Sequence, residues 1–480
     1  RRFAAPTPAE RRLLLSPRRP IVLLRKTADI PLVAPNLDEI GVMLPYTPLH
    51  RLLLEDLGLI VATSSNAKDA PIAKDETEGE GVRHLCDAVL THDRPIATRA
   101  DDSVVKVAAG RPLFVRRARG YVPYPQAVPV ALRSDRVLIA LGGELKDTIS
   151  LYKNGYVVTS QFLGDLDDYR NFGYFEETLA HLLRLFDARP SAVISDLHPD
   201  FRTTRYAARM GIPHFRVQHH YAHVLAPLLE HGHMPRRRVL GVALDGYGYG
   251  DDGTAWGGEF LLADYGGFER FASFEAVPLP GGDLAAREPW RMALAWLDRA
   301  FGADIPGLAA LRRIGPRRRA AVLQMIRGGL RSPLTSSCGR LFDAVSFIAG
   351  LAPERLEFEA EAAMRFEAAA DRAYRGRYPT SLSEPSPGRP IEISFAPLLR
   401  GFVGDLRKGA SAAVLAAKFH DSLAFLIARV ADLARRTHGT EEVSLAGGVF
   451  LNRRLLEAAE RRLAAKGFRV FRPMAYSPND

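Results

Sequence analysis

Two histidines and one aspartate, between residues 217 and 259, have the types and spacing most suited to chemistry in this chain. His219 and His223 are four residues apart, so on a helix both imidazoles lie on one face and can hold one metal ion. The apolar run Val239–Leu244 predicts a buried strand that ends at Asp245. A loop is predicted next, because glycines stand at 246, 248, 250 and 253. A carboxylate before such a loop can bring an acid, a metal and phosphates together.

Each of these signals also has a structural interpretation. A histidine pair at this spacing often belongs to a helix packed on a core, and glycine-rich loops occur in many proteins that bind no phosphate. The two signals lie close together and are followed by Trp256-Gly-Gly-Glu259. This combination favours a functional site over two unrelated structural features.

A second group of polar residues lies nearer the N-terminus. We predict strands at Pro20–Leu24 and Leu59–Thr63, and helices at Leu49–Asp56 and Glu80–Leu90. Ser64 and Asn66 directly follow the second strand and offer short donors to a phosphate or carboxylate, although both residue types also simply form turns.

Arginines dominate the next predicted strand, Val115–Gly120. Side chains alternate between the faces of a strand, so Arg117 and Arg119 are expected on the same face. Near Ser103, such a pair predicts either an anion clamp or a solvent-exposed basic strand. The segment Tyr121–Pro125 then breaks regular structure, and we predict a linker there, with a first domain over 1–128 and a second over 129–480.

The second predicted domain contains a repeated order of elements. Strand Val137–Leu141, the turn Gly142–Asp147 and strand Thr148–Tyr152 match the strand, glycine loop and strand that begin at Val239. This repetition predicts an internal duplication whose first hairpin binds phosphate. Near the end of the chain, strand Glu442–Ala446, the pair Gly447-Gly448 and a helix from Asn452 can lay backbone against an adenosine.

The composition bounds the class of protein. The 480 residues include 47% apolar and 25% charged residues, without an apolar run of the length of a membrane span or a secretory signal. Cys86 and Cys338 are too few for a disulfide framework or a cysteine zinc site, which fits a cytoplasmic protein. The net charge of +10 suits phosphate substrates as well as nucleic acid. Because the basic runs stand apart and lack interleaved aromatics, we interpret them as solvated surface and do not expect a nucleic-acid partner. A membrane partner is not expected either, since no apolar run is long enough.

Several long motifs, taken in order, resemble the hydrogenase maturation carbamoyltransferases, the HypF family. They extend over nearly the whole chain and include Gly41–His50, His92–Ile96, Arg116–Pro123, Leu141–Lys146, Asp196–Asp200, the 217–259 stretch, Glu288–Ala293 and Leu445–Asn452. The resemblance implies an α/β fold: a YrdC-like domain, then a two-lobed domain of the sugar-kinase/Hsp70/actin type, similar to the threonylcarbamoyl transferases. It also implies that the family's acylphosphatase-like and zinc-finger segments, with their zinc, belong to an N-terminal part that is missing here. Tyr221 and Tyr247 depart from the residues that the family often has.

The resemblance implies that carbamoyl phosphate or carbamate and ATP, with Mg²⁺, give a carbamoyl-adenylate. The carbamoyl group then passes to the C-terminal cysteine of the partner HypE, where it becomes the cyanide ligand of [NiFe]-hydrogenase. His219, His223, Asp245 and Asp480 match ligands of iron or another divalent metal, and Arg117 joins the first three as a catalytic candidate. The implied nucleotide and acyl contacts are Ser64, Asn66, Ser103, Arg117, Arg119, Gly142, Gly143, Lys146, Gly248, Gly250, Gly447, Gly448 and Asn452.

Three alternative functions stay open from the sequence. A fused threonylcarbamoyl-adenylate synthase and tRNA transferase has relatives of both domains and requires threonine and bicarbonate. A small-molecule O-carbamoyltransferase uses the same adenylate. A non-catalytic RNA-binding module would use the positive charge alone and would bind with a steep salt dependence.

Overall fold

The computed structural model describes residues 3–128 and 135–479. The first region is a sheet in the order β2-β1-β3-β4, in which β1 is antiparallel to β2 and parallel to β3. Its elements are α1 (Pro8–Leu15), β1 (Ile21–Arg25), β2 (Glu39–Val42), α2 (Pro48–Leu57), α3 (Glu76–Arg83), β3 (Val104–Ala108) and β4 (Arg111–Arg116).

Three predictions for this region are wrong in part. Residues 59–63 follow α2 as exposed, irregular backbone, because an apolar run becomes a strand only where a neighbouring strand can pair with it. Helix α3 covers Glu76–Arg83 rather than Glu80–Leu90, beginning after Asp75, whose side chain caps the Glu78 amide. Strand β4 ends at Arg116, so Arg117 and Arg119 do not share a strand face.

The second region begins with a sheet in the order β10-β9-β6-β7-β8-β5. Strand β5 lies before the predicted domain boundary but pairs with β8, so the chain joins this sheet from residue 126. Residues 129–134, at the predicted boundary, lie outside the described residues, and the division at 128/129 stays a prediction. The elements are β5 (Gln126–Ala127), β6 (Leu138–Leu141), β7 (Ile149–Lys153), β8 (Tyr156–Thr159), α4 (Tyr169–Leu185), β9 (Ala192–Asp196), α5 (Arg202–Ala208), β10 (His214–Val217) and α6 (His219–Glu230).

The rest of the chain forms a larger sheet, in the order β16-β17-β13-β12-β11-β18-β19, with β14 and β15 beside it, and a surrounding layer of helices. Strands β11 (Val239–Tyr249), β12 (Ala255–Asp264), β13 (Gly267–Phe274) and β14 (Val277–Pro278) come first. They are followed by α7 (Asp283–Arg287), α8 (Pro289–Phe301), α9 (Ala309–Arg312), α10 (Pro316–Gly328), β15 (Leu334–Thr335), α11 (Cys338–Ile348), α12 (Glu361–Ala369), β16 (Ser381–Leu382), β17 (Ile391–Ser394), α13 (Ala396–Arg407), α14 (Ala412–His438), β18 (Glu442–Ala446), a 3₁₀ turn (Gly448–Leu451), α15 (Arg453–Ala465) and β19 (Arg469–Phe471).

The predicted duplication is confirmed by the strand order. In the first sheet, β6, β7 and β8 form an antiparallel meander, while β9 pairs in parallel with β6 and β10 with β9. In the second sheet, β11, β12 and β13 form the same meander, with β18 parallel to β11 and β19 parallel to β18. The two sheets are therefore the cores of two lobes with one topology.

The predicted glycine loop after Leu244 is wrong in its first half. Strand β11 continues to Tyr249, with an irregular register against β12 between Leu244 and Gly248, and the hairpin turns only after that. The local bulge re-aims side chains, and Asp245 lies within it.

Charged side chains and a shared core join the first region to the second lobe. Ala108 and Leu113, from β3 and β4, belong to the same apolar cluster as Leu455 of α15. Arg453 forms an ion pair with Glu39 of β2, and the buried Arg472 donates to the carbonyl of Ala108 at 2.8 Å. The β2-β1-β3-β4 sheet of the first region is thus packed against α15. Within residues 3–128 and 135–479, no helix has the length and apolar character needed to cross a membrane.

Candidate metal and nucleotide site

Helix α6 presents the two histidines. Its first turn is fixed by Gln218, whose side-chain oxygen accepts from the Tyr221 amide at 2.8 Å. His219 is the first helical residue and His223 lies one turn later, with the ring centroids 4.7 Å apart. The predicted common face is therefore confirmed by the structure.

Asp245 meets this face from the bulge in β11. Its Oδ1 accepts from the Gly246 amide at 2.7 Å and from the Gly448 amide at 3.4 Å. The hydroxyl of Ser337, at the start of α11, donates to the carbonyl of Gly246 at 2.7 Å and to that of Asp245 at 3.1 Å. Side chain and backbone of this short segment are thus both held in place.

The three groups converge on one point. His223 Nε2 lies 3.1 Å from His219 Nε2 and 3.1 Å from Asp245 Oδ2, and His219 Nε2 lies 3.6 Å from the same oxygen. One ligand atom from each residue fits within 4.8 Å of the others. Two imidazoles and a carboxylate are a donor set for borderline divalent cations such as iron or zinc. The predicted fourth ligand, Asp480, lies outside the described residues.

A second carboxylate orients His219. Asp196 is the last residue of β9, and its Oδ2 is 2.8 Å from His219 Nδ1, while its Oδ1 accepts from the His198 amide at 2.8 Å. An Nδ1 proton donated to Asp196 leaves the Nε2 lone pair directed at the point shared with His223 and Asp245. The residues therefore fit a metal ion both in donor type and in tautomer.

The electrostatics of Asp245 agree with this arrangement. Burial opposes ionisation of the carboxyl, yet the neighbouring His219 and His223 imidazoles outweigh it and lower the pKa of Asp245 well below its usual value. The group is therefore an anion at neutral pH, facing two imidazoles.

Close packing explains two of the predicted loop glycines. A Cβ on Gly248 would lie 2.4 Å from a ring carbon of His220 and 2.8 Å from one of His219. A Cβ on Gly250 would lie 2.1 Å from Nε1 of Trp256. These glycines are needed for the approach of β11 to neighbouring rings, and their nucleotide contacts stay a prediction.

The Gly447-Gly448 turn brings backbone to the same point. Gly447 has φ +95°, and a Cβ there would lie 2.3 Å from the carbonyl oxygen of Leu244. A Cβ on Gly448 would lie 2.6 Å from Asn479 Oδ1 and 3.2 Å from Asp245 Oδ1. Because only glycine fits at these two positions, the bare backbone of this turn forms one wall of the candidate site.

Asn452, which the resemblance places in a nucleotide loop, has partners within the protein. Its Oδ1 accepts from the Leu455 amide at 2.9 Å, which caps α15, and its Nδ2 lies 2.8 Å from Nε2 of His420. Burial lowers the pKa of His420 to about 3, so this imidazole is neutral and can accept the hydrogen bond. The structure gives Asn452 a role in shaping the turn, while direct nucleotide contact stays a prediction.

The first hairpin of the duplication lies between the lobes. A Cβ on Gly142 would lie 2.2 Å from a carboxylate oxygen of Asp147, whereas one on Gly143 would come no closer than 3.7 Å to Phe201. Lys146 forms an ion pair with Glu359, which precedes α12 in the other lobe. The predicted glycine turn thus sits at the boundary between the lobes.

The predicted residues of the first region are brought together in part. The hydroxyl of the buried Ser103 donates to the Arg119 carbonyl at 2.9 Å and accepts from the Ala118 amide at 2.8 Å. Arg119 Nε donates to Asp102 at 2.6 Å. Arg117 donates to the Tyr121 carbonyl at 2.8 Å, and burial lowers the pKa of its guanidinium.

Ser64 and Asn66 lie on the irregular segment after α2. Ser64 is exposed, and the amide of Asn66 donates to the carbonyls of Ala67 and Ala70 at 3.1 and 2.9 Å. The Asn66 contacts are those of a turn, the structural alternative given for these residues. Nucleotide binding by Ser64 and Asn66 stays a prediction.

Asp196 is the site residue to which the sequence reasoning gave no role. A signal was present, because Asp196 closely follows the apolar run Ala192–Ile194, as Asp245 follows the run Val239–Leu244. Strand ends at one edge of a sheet lie close together, but which of them meets α6 depends on the strand order.

Family models match three parts of the chain. A model described as "Carbamoyltransferase, Kae1-like Domain, second subdomain" matches residues 241–480, and one described as "HypF Kae1-like domain" matches 133–230. A third, with the description "Telomere recombination" and including the YrdC proteins, matches residues 1–118. The fold is therefore a YrdC-like α/β domain followed by a two-lobed Kae1-like domain, as predicted.

The curated relatives are carbamoyltransferases of the name HypF. "Carbamoyltransferase HypF" of Synechocystis sp. is 39% identical over 99% of this chain, and that of Rhodobacter capsulatus is 42% identical over 97%. The chain spans 63% and 62% of the length of these two proteins. A "Carbamoyltransferase HypF homolog" of Cupriavidus necator is 37% identical, with 72% of this chain and 88% of that protein covered.

Two solved structures show the same fold over the whole chain. A full-length HypF crystallised in a phosphate- and nucleotide-bound form is 34% identical with a TM-score of 0.94, covering 100% of this chain and 62% of the other. The HypF of T. kodakarensis is 32% identical with a TM-score of 0.89, covering 99% and 64%. Identity throughout the chain, the shared fold and the family models agree, and the chain belongs to the HypF carbamoyltransferase family.

Proposed function

We propose that this chain forms carbamoyl-adenylate in its first domain and transfers the carbamoyl group in its second. The acyl source is carbamate, or carbamoyl phosphate whose hydrolysis to carbamate releases inorganic phosphate. The carbamate then takes the adenylyl group of ATP, with release of pyrophosphate. The acceptor is the C-terminal cysteine thiol of HypE, which gains the carbamoyl group while AMP leaves. The chain spans about three fifths of the length of the curated relatives to which this scheme refers.

The observation that carries the proposal is the convergence of His219, His223 and Asp245 beside the Gly447-Gly448 turn. Residues from both lobes contribute. Asp245 lies on β11 and the turn follows β18, both in the second lobe, whereas Asp196 ends β9 in the first lobe. A divalent metal at this point would act as a Lewis acid on the carbamoyl oxygen. The backbone turn lets a nucleotide approach without collision with side chains.

The protein groups around the site have separate tasks. Asp196 fixes the tautomer and orientation of His219, so that its Nε2 faces His223. Asp245 supplies a fixed negative charge, held by the Gly246 amide. Because Asp245 is 6% exposed and His219 8% exposed, little water reaches these groups, which strengthens their electrostatic effect on a bound acyl group.

In the first domain, Arg117 and Arg119 are the groups we propose for the phosphate charge during adenylation. Arg119 already donates to Asp102 and to the carbonyl of Arg19, and Arg117 to that of Tyr121. Binding of an anion there requires that one of these donors exchange its partner.

The direct test supplies the protein with ATP, Mg²⁺ and one acyl source at a time. We expect pyrophosphate release with carbamoyl phosphate or carbamate, and one added carbamoyl group on the terminal cysteine of HypE by mass spectrometry. A HypE variant with that cysteine replaced by serine is the matched control and should stay unmodified.

Threonine with bicarbonate is the competing acyl source. Exchange that depends on threonine, with none from carbamoyl phosphate or carbamate, would identify the chain as a threonylcarbamoyl-adenylate enzyme. Pyrophosphate release without modification of HypE would confine the failure to the transfer half of the proposal.

A further inference from the structure

The segment after β19, residues 472–479, ends beside the candidate site. The carbonyl of Pro478 accepts from the Gly447 amide at 3.0 Å, which ties the segment to the glycine turn. Asn479 Oδ1 approaches Gly448 so closely that a Cβ there would lie 2.6 Å from it. The end of this segment therefore lies beside the same glycine turn whose Gly448 amide reaches Asp245.

The other end of this segment is bound by Glu230, the last residue of α6. Glu230 Oε1 accepts from the Met474 amide at 2.8 Å and from the Ala475 amide at 2.6 Å, and Oε2 accepts from Met474 at 3.0 Å. The neighbouring His231 adds a contact between its Nε2 and the carbonyl of Arg472 at 3.0 Å. The histidine helix and the segment are thus joined at the C-terminal end of the helix.

The position of Glu230 is unfavourable for the helix itself. A carboxylate in the last turn faces the negative end of the helix dipole, where a basic residue is preferred. Burial raises the pKa of Glu230, while the bonds from Met474 and Ala475 act against this. Stabilisation of α6 therefore does not account for this side chain, and its bonds to the segment do.

We propose that Glu230 is a positioning residue of the metal site, which fixes the 474–479 segment relative to the helix that carries His219 and His223. The two ends of one helix then hold the two sides of the site: the histidines at its start, and the glycine turn and Asn479 through Glu230 at its end. This inference rests on the proposed metal site, though not on the identity of the acyl group.

The test measures binding of Co²⁺ to the whole chain, because its visible spectrum reports coordination geometry independently of activity. Replacing a residue that orients metal ligands typically weakens metal affinity by about 10- to 100-fold, so we expect at least about a 10-fold weaker affinity and an altered spectrum for Glu230→Ala. Glu230→Gln keeps an acceptor oxygen for both amides, and its affinity should lie between those of Glu230→Ala and the wild type.

Hydrogen exchange provides a second readout at the segment. Peptides covering 472–479 should exchange faster in Glu230→Ala, and to a smaller extent in Glu230→Gln. Glu275→Gln is the matched control: this buried glutamate also accepts from a backbone amide, that of Phe395 at 2.6 Å, but it lies between β13 and the start of α13. It should leave both the spectrum and the exchange of 472–479 unchanged.

The outcomes separate this inference from the function on which it rests. Failure of the wild type to bind Co²⁺ would remove the proposed metal site itself. Wild-type binding with an unchanged spectrum and affinity in Glu230→Ala would overturn the positioning role. Equal losses in the alanine and glutamine variants would also overturn it, because charge rather than the hydrogen bonds would then be responsible.

Discussion

Strands β9 and β18 occupy equivalent places in the two lobes, each being the parallel neighbour of the first strand of its meander. Yet they end in different chemistry. Strand β9 ends at Asp196, a carboxylate 2.8 Å from His219, whereas β18 leads into Gly447-Gly448, whose backbone amide reaches Asp245 at 3.4 Å. The duplication thus delivers a side chain from one lobe and bare backbone from the other.

This difference shows how one topology can build an asymmetric site. Carboxyl ends of adjacent parallel strands meet at one edge of a sheet, so both lobes direct their strand ends toward the crevice between them. A carboxylate at one end can orient a metal-binding histidine, while glycines at the other leave room for a large ligand. The roles of the two strand ends can be tested separately by substituting residues at one end at a time.

The largest effect is expected for the histidines that face both strand ends. His219→Ala and His223→Ala should each abolish bound metal and carbamoyl transfer, because each removes one of three converging ligands. Adenylate formation should stay largely intact. Metal analysis, pyrophosphate release and carbamoylation of HypE are the measurements, with His438→Ala at the exposed end of α14 as control. Lost adenylation with metal retained would contradict two separate sites.

The next largest effect is expected at the glycine turn after β18. Gly447→Ala should destabilise the fold by about 3 kcal/mol, because φ +95° disfavours a side chain and the Leu244 carbonyl occupies its space. Gly467→Ala is the matched control, with φ +80° but nothing within 4 Å, and should cost only about 1–2 kcal/mol. The two unfolding midpoints measure this, and equal shifts would rule out the close approach to Leu244.

The carboxylate side should respond more mildly. Asp196→Asn is expected to weaken metal affinity by about 10- to 100-fold without unfolding the protein, because His219 loses the charged acceptor that fixes its tautomer. Titration of the metal into the protein, monitored by calorimetry, measures this affinity. Asp200→Asn, in the same loop but exposed, is the control and should bind as the wild type does. An unaffected Asp196→Asn variant would mean that His219 is oriented by other contacts.

The smallest effect near neutral pH is expected for His420, which lies behind the glycine turn and makes the stability of the fold depend on pH. His420 has a pKa of about 3 in the folded protein against about 6.5 when unfolded, so only the unfolded chain gains this proton between those values. Its contribution to stability is complete above pH 6.5 and falls by about 1.4 kcal/mol per pH unit below it. Unfolding free energies at pH 6.5 and 5 should therefore converge between wild type and His420→Gln. Parallel curves would show that His420 is not buried as a neutral base.

Much of the architecture could be predicted from local patterns. Strand β18 has the predicted bounds, and α15 begins one residue after its predicted start at Asn452. Their periodicity and capping residues are local features, which the chain carries wherever it is placed. The repeat of strand, turn and strand likewise anticipated the shared topology of the two lobes.

The failed predictions concern elements whose structure depends on partners. The apolar residues 59–63 form no strand, whereas Gly246 and Gly248, predicted as loop, lie within β11 because it pairs with β12 as far as Tyr249. Nothing local in the sequence distinguishes these outcomes.

The sequence alone determined that two histidines share a helix face and that carboxylates and glycines stand at the ends of strands, since residue spacing and element period suffice for this. The contacts of that face with Asp196 and Asp245, which come from different lobes, are visible only in the folded protein, as is the binding of the segment beyond β19 by Glu230. These contacts depend on strand order and close packing, which are set by long-range pairing rather than by neighbouring residues.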